Sequence, residues 1–289
     1  MGAPLTVVTV TYSPGEHLAE FLDSLAAATS REVEVVLADN GSTDGAPEGA
    51  AERYPNVRLL RTGANLGYGG GANRGVAEID HDDAEFVIVA NPDVRWTPGS
   101  IDELLAAAER WPRAGSLGPL IRDPDGTRYP SARAVPDLAT GIGHALLGNI
   151  RPSNRWTERY RRDAEVPGEE PVGWLSGSCL LLRRDAFDAV GGFDERYFMY
   201  MEDVDLGDRL GRAGWLNVYV PAAVIVHDKG HAAGRHPETM LPAHHRSAYR
   251  FQADRHPQWW QAPLRGALWA GLAVRSRLAV AAARRSRGD

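Results

Sequence analysis

A chain of 289 residues with 43% hydrophobic content can bury one large core or two modest ones. Its formal charge of −6 argues against a general affinity for nucleic acid, and no run of about 20 apolar residues could span a bilayer. The single cysteine, Cys179, excludes internal disulfides; with no Lys/Arg-led signal peptide, this points to a reducing, cytoplasmic compartment.

The mean charge hides an asymmetry. Gly126 to Arg162 carries a net +5 and Gly230 to Asp289 a net +7, leaving −18 on the remainder. Such a molecule can dock a basic face on an anionic surface while its core stays acidic.

Leu5 to Tyr12 is β-rich and reads as the first strand. Pro14 opens a helix in which Leu18, Phe21, Leu22 and Leu25 share one face. Val33 to Ala38 is a second strand, Ala46 to Tyr54 a short helix, and Val57 to Leu60 a third strand. The glycine-rich stretch Asn65 to Asn73 leads into a helix toward Glu78. Phe86 to Ala90 is an unbroken apolar run ended by Pro92, which delivers Asp93 at the carboxyl end of a central strand. A helix with Ile101, Leu104, Leu105 and Ala108 on one face follows. This alternation predicts an α/β fold with a doubly wound, mostly parallel sheet, and ligands bind such sheets at the carboxyl edge.

From Asp123 to Pro171 the pattern dissolves, as expected of an inserted or mobile segment. Gly173 to Leu182 reads as a strand, followed by a short helix and a turn over Gly191–Glu195. Met201 to Asp205 opens another helix. Leu216 to Val220 and Ala223 to Val226 are two further strands, ending at His227. The expected division is a domain over 1–229, comprising 1–122, the segment 123–171, and 172–229, then a basic helical extension over 230–289. Ala262 to Val274 is nearly all apolar, but Arg275 falls on the Leu264–Leu268–Leu272 side. With Trp259, Trp260 and the trailing arginines it suits an interfacial anchor; a helix packed on the domain is the other reading.

Asp39 and Asp93 follow different strands yet meet on one sheet edge. One carboxylate can accept from a nucleobase imide, and the other can ligate Mg²⁺ together with substrate phosphates. His227 could add a nitrogen ligand, better suited to Mn²⁺. The glycines fit neither a Walker loop, lacking Lys-Ser/Thr, nor the dinucleotide fingerprint, which belongs after the first strand. They could bring backbone N–H groups near a diphosphate, with Asn65 and Asn73 as polar handles. Glu202, Asp203, Asp205 and Asp208 repel one another, which favours a raised pKa.

Thr9-Val10-Thr11-Tyr12, Asp39 through Asp44, Asn65 through Asn73, Asn91-Pro92-Asp93, Trp174 through Ser178, Gly192 through Glu195 and Glu202 through Asp205 occur in order. Together they resemble the family 2 inverting glycosyltransferases of the GT-A fold, in the rhamnosyltransferase branch. The resemblance implies a nucleotide-sugar donor, dTDP-rhamnose, and a polyprenyl-diphosphate-linked N-acetylglucosamine acceptor at the inner face of a membrane. It implies Asp203 as general base and Asp93 with His227 as holders of a divalent cation, Mg²⁺ or Mn²⁺. Thr9, Thr11, Tyr12, Asp39, Asn40, Ser42, Asn65, Gly67, Gly70, Asn73, Asn91 and Asp93 would bind donor. Trp174, Ser176, Gly177 and Glu202 would bind acceptor. Asn91 departs from the double-aspartate form of the motif. A family 2 transferase with a UDP- or GDP-linked donor or a polysaccharide acceptor, a dehydrogenase, and a non-catalytic nucleotide-sugar-binding module are the competing readings.

Overall fold

The computed structural model describes residues 4–80, 84–136, 168–228 and 237–288, without side chains at 237–239 and 282–288. Strand β1 (Leu5–Thr11) is buried along its whole length. It pairs in parallel with β2 (Val33–Asp39) on one side and β4 (Phe86–Ala90) on the other, and β3 (Val57–Arg61) extends the sheet beyond β2. Helices α1 (His17–Ala28), α2 (Ala46–Arg53) and α3 (Gly67–Val76) make the crossovers, so these four strands end on one edge.

Strand β5 (Val94–Trp96), helix α4 (Ser100–Arg110) and strand β6 (Ala114–Arg122) follow. Short strands β7 (Arg128–Tyr129), β8 (Ala132–Arg133), β9 (Glu170–Val172) and β10 (Trp174–Leu175) precede β11 (Cys179–Arg183). Then come α5 (Arg184–Ala189), α6 (Glu202–Arg212) and the long strand β12 (Leu216–His227). Helices α7 (Pro237–Arg255) and α8 (Ala262–Gly288) close the chain. The main sheet runs β3-β2-β1-β4-β11-β6-β12-β5.

Side-chain alternation along β1 divides the core. Val7 joins Leu18, Phe21 and Leu104 under α1 and α4, whereas Val8 and Val10 join Ala72, Val76 and Phe193 under α3. The α3 glycines make that second contact close: a Cβ on Gly71 would lie 2.7 Å from Val10, and one on Gly75 2.3 Å from Val8.

Several expectations are corrected. The glycine-rich stretch is the body of α3 rather than a loop ahead of it. β6 was not anticipated, because Gly115, Ser116, Gly118 and Pro119 dilute its apolar pattern. Both glycines admit neighbours, Gly115 beside Trp215 and Ala186 and Gly118 beside Leu175. The strand expected over Gly173–Leu182 is broken by a turn at Ser176–Ser178, and β11 then runs antiparallel to both β4 and β6. The two strands expected after Leu216 are one, with an irregularity between Val220 and Val224. The last helix runs on past Val274 to Gly288, and α7, with Pro242 inside it, had no periodic signal.

Helix α7 is tied to the body by Phe251, which packs with Tyr197 and Val204, and by the Arg255–Asp208 ion pair. Ser247 Oγ also donates to the Met199 carbonyl at 2.9 Å. The basic segment Gly126–Arg162 lies outside the described residues beyond 136, and residues 229–236 do too. Among the described residues, no helix is long and apolar enough to cross a membrane.

Candidate active site

Two adjacent strand ends form the first wall. Asp39, at the end of β2, is 1% exposed and accepts from Thr11 Oγ1 at 3.0 Å and Ser42 Oγ at 2.5 Å, both on Oδ1. Among the described residues its Oδ2 is met only by the Ser42 N–H at 3.3 Å and by Arg61 at 3.6 Å, which leaves it acceptor capacity. Tyr12 stands at the rim, 62% exposed. Thr9 shares the β1 face of Val7 and has no exposed surface, so no ligand in the cleft can reach it.

Asn40 braces the start of α3: its amide donates to Gly67 O at 2.9 Å, and its carbonyl accepts from Thr62 Oγ1 at 3.0 Å. Asn65 Oδ1 accepts the Gly67 N–H at 3.1 Å. Gly67 has φ +76 and lies so close to the Phe198 carbonyl that a Cβ would be 2.1 Å from its oxygen. Gly70 packs under Leu66 in the same way. Asn73 was expected to handle a diphosphate. Its amide is instead spent on Phe193, donating to O at 2.8 Å and accepting from N at 2.9 Å, so it staples α3 to the 191–195 turn.

The second wall begins at β4. Asn91 N–H donates to the Ser178 carbonyl at 2.9 Å, joining the Asn-Pro-Asp turn to the turn that precedes β11. Asp93 faces His227 because β5, which starts at Val94, pairs antiparallel with β12, and His227 is the partner of Val94. Asp93 Oδ1 lies 3.0 Å from His227 Nε2, and Asn91 Nδ2 lies 3.2 Å from the same nitrogen. One imidazole nitrogen cannot both donate to Asp93 and accept from Asn91. His227 Nδ1 is buried with no partner among the described residues.

Asp203 sits opposite, in the first turn of α6. Tyr200 and Met201, with φ of 66 and 68, turn the chain into that helix through the left-handed region, a strained conformation for side chains of this size. Asp203 Oδ1 accepts from Val204 N–H at 2.8 Å, and Oδ2 from Gly177 N–H at 3.0 Å. Burial raises the Asp203 pKa, and those backbone N–H groups and Arg133 oppose the rise. Glu202 is pushed further, to about 8, by burial and then by the Asp203 charge. Its Oε2 has no partner among the described residues. Glu202 is thus the member of this coupled pair that holds a proton at neutral pH, whereas the backbone N–H groups and Arg133 favour the charged form of Asp203.

Two neighbours of Asp203 were missing from the sequence reading. Tyr68 donates its hydroxyl to the Gly177 carbonyl, and burial followed by the nearby carboxylates keeps that hydroxyl protonated. Its place inside a glycine-rich motif masked it as a spacer. In the described part of the basic segment, Arg133 brings its charge to bear on Asp203. Trp174 lines the same side, held by Nε1 on the Ala134 carbonyl at 3.0 Å, and Ser176 Oγ meets Ser178 Oγ at 3.1 Å.

The Glycosyl transferase family 2 model matches residues 6–191, which hold both walls apart from α6 and His227. The chain belongs to that family. This glycosyltransferase is 64% identical to N-acetylglucosaminyl-diphospho-decaprenol L-rhamnosyltransferase of Mycobacterium tuberculosis, over 98% of this chain and 95% of the relative. It is 26% identical to rhamnosyltransferase WbbL of Escherichia coli K12, over 86% and 92% of the two chains. In fold it resembles GalNAc-T7, solved with UDP, GalNAc and Mn²⁺: TM-score 0.58, 15% identity, 78% of this chain and 44% of that one. The S. aureus TarS 1-349 structure with UDP is similar at TM-score 0.53 and 16% identity, covering 84% and 65%. The transferase thus has the mixed, mostly parallel GT-A sheet, with its polar walls on the carboxyl edge.

Proposed function

We propose that this glycosyltransferase moves L-rhamnose from dTDP-rhamnose to a polyprenyl-diphosphate-linked N-acetylglucosamine, with inversion, at the cytoplasmic face of the membrane. The observation that carries this reading is the 64% identity, across nearly both full chains, to a relative whose name specifies that sugar and that class of acceptor.

On this reading Asp39 accepts the base imide N–H on Oδ2, while Thr11 and Ser42 fix its carboxylate and Tyr12 covers the base. Asn40, Asn65, Gly67 and Gly70 act through the shape of the α3 start. Trp174, Ser176 and Gly177 flank the acceptor. Asp203 takes the proton of the acceptor hydroxyl as that oxygen bonds to the anomeric carbon. The bond to the diphosphate breaks on the opposite face, and dTDP leaves with the electron pair. Glu202 keeps its proton, so the base does not share its site with a second charge.

The donor set at Asp93 and His227 fits a divalent cation. A separation of 3.0 Å between Oδ1 and Nε2 is the edge of an octahedron with bonds of about 2.1 Å, and a cation would resolve the competition for Nε2. Among the described residues, no three His, Cys, Asp or Glu side chains converge on one point, so the remaining ligands would be diphosphate oxygens and water. When bound, such an ion neutralises charge on the leaving diphosphate.

The test is release of nucleoside diphosphate from dTDP-rhamnose with a short-chain prenyl-diphosphate N-acetylglucosamine, alongside UDP- and GDP-sugars. Preference for a UDP- or GDP-sugar would reassign the donor. Release independent of the prenyl acceptor would reassign the acceptor.

A further inference from the structure

Helices α7 and α8 pack as an antiparallel hairpin, and between them and the 196–198 stretch lies a cleft of about 820 Å³. Arg246, Arg250 and Arg277 all line it, and none of the three makes an ion pair with a described residue. Asp254 is the acid in the lining, and it is engaged by Arg196 at 2.8 Å. Phe198 and Trp269, 40% and 61% exposed, supply apolar walls. Unpaired guanidiniums with aromatic flanks are suited to a phosphate that carries an apolar tail.

The outer surface of α8 continues the theme. At helical spacing, Leu264, Leu268, Leu272 and Ala279 are half-buried toward α7. Ala267, Ala270, Val274, Leu278 and Ala281 fall on the opposite side and are exposed, with Arg277 on the flank between that stripe and the cleft. The imperfect amphipathicity seen in the sequence thus has a cause: the helix is apolar on two sides, and one is covered. Its sequence holds six arginines and no acid, and the exposed Trp259–Trp260 pair sits at its start. An apolar, acid-free stripe edged by arginine and preceded by tryptophan complements an anionic leaflet in charge and polarity.

We propose that the α7–α8 hairpin docks on an anionic bilayer and that Arg246, Arg250 and Arg277 take a phospholipid headgroup phosphate into the cleft between the helices. The stripe then lies among the acyl chains, parallel to the membrane plane. This surface is distinct from the carboxyl-edge site and does not depend on which sugar is transferred.

Flotation of the full-length protein with vesicles of phosphatidylcholine alone, or with a third phosphatidylglycerol, tests the proposal without donor or acceptor. Binding to the anionic vesicles alone, reversed by high salt, is expected. The triple variant Arg246→Gln/Arg250→Gln/Arg277→Gln should bind on the order of 10²-fold more weakly, at roughly five-fold per arginine. The corresponding triple lysine variant, which keeps the charge, should recover most of that loss. Matching melting curves for the variants exclude misfolding. Equal binding to neutral vesicles, no binding, or an undiminished glutamine variant would overturn the idea. So would inorganic pyrophosphate displacing the vesicles at micromolar concentration, which would make the cleft a free-anion site. A concentration-dependent dimer lost on Leu278→Glu, with no vesicle binding, would assign the stripe to a second copy of the chain.

Discussion

Asp93 Oδ1 and His227 Nε2 meet at 3.0 Å although 134 positions separate them in the chain. The antiparallel β5–β12 pairing enforces the meeting, since it sets His227 against the residue that follows Asp93. If the pair holds a divalent cation on the donor diphosphate, Mn²⁺ with dTDP should raise the melting temperature of the wild type more than either alone. Asp93→Ala and His227→Ala should each abolish that extra increment, and chelation should remove it. An increment that survives both substitutions would show that the ion binds elsewhere.

Asp203→Asn keeps the shape but removes the proton acceptor, and its oxygen can accept from only one of the Val204 and Gly177 N–H groups. Turnover should fall by roughly 10²–10⁴-fold with the donor KM little changed. Comparable turnover in the variant would move the base to another group.

Glu202 gives a pH dependence of defined sign. Its pKa in the fold is raised to about 8 from the usual 4.5, so the folded state binds more protons than the unfolded chain between those values. Stability from this group is complete below pH 4.5 and declines as pH rises toward 8, by at most about 1.4 kcal/mol per pH unit. Glu202→Gln should flatten that decline in pH-resolved urea melts. Because Glu202 is uncharged across the acid limb of the kcat profile, Glu202→Gln should leave that limb in place. A limb that moves to lower pH would show that Glu202 carries charge there.

Tyr68→Phe deletes one hydroxyl. Gly177 then loses a hold on its carbonyl, and its N–H is less firmly aimed at Asp203. A hydrogen bond of about 1 kcal/mol corresponds to a drop of roughly five-fold in kcat, with KM for the donor unchanged. Equal losses in kcat and donor affinity would instead mean a general loosening of the α3 start.

Much of the candidate site could be proposed from the sequence because its residues sit at strand ends, where an apolar run stops and a turn begins. Asp39, Asp93 and His227 carry that signal, and Asp203 stands in an acidic first turn of a helix. Asn73 misled because an amide in a glycine-rich stretch reads as a ligand handle, whereas long-range packing of the 191–195 turn had claimed it. Tyr68 was hidden for the converse reason: its partner, Gly177, is 109 positions away. Strand β6 escaped because its glycines are there to admit Trp215, Ala186 and Leu175, neighbours that no local window contains. The antiparallel setting of β11 depends on the path through the Ser176–Ser178 turn, which hydrophobic pattern does not encode.

The place of β11 between β4 and β6 has a consequence for how the chain is made. β4 and β6 are complete by residue 122, but β11, the strand that joins them, ends only at Arg183. During synthesis the β3-β2-β1-β4 half therefore presents an open edge at Phe86–Ala90 while some ninety further residues emerge. An apolar edge of that kind is a template for wrong pairing. Fragments ending between 122 and 179 should aggregate, and refolding of the whole transferase should be slow and steeply dependent on protein concentration.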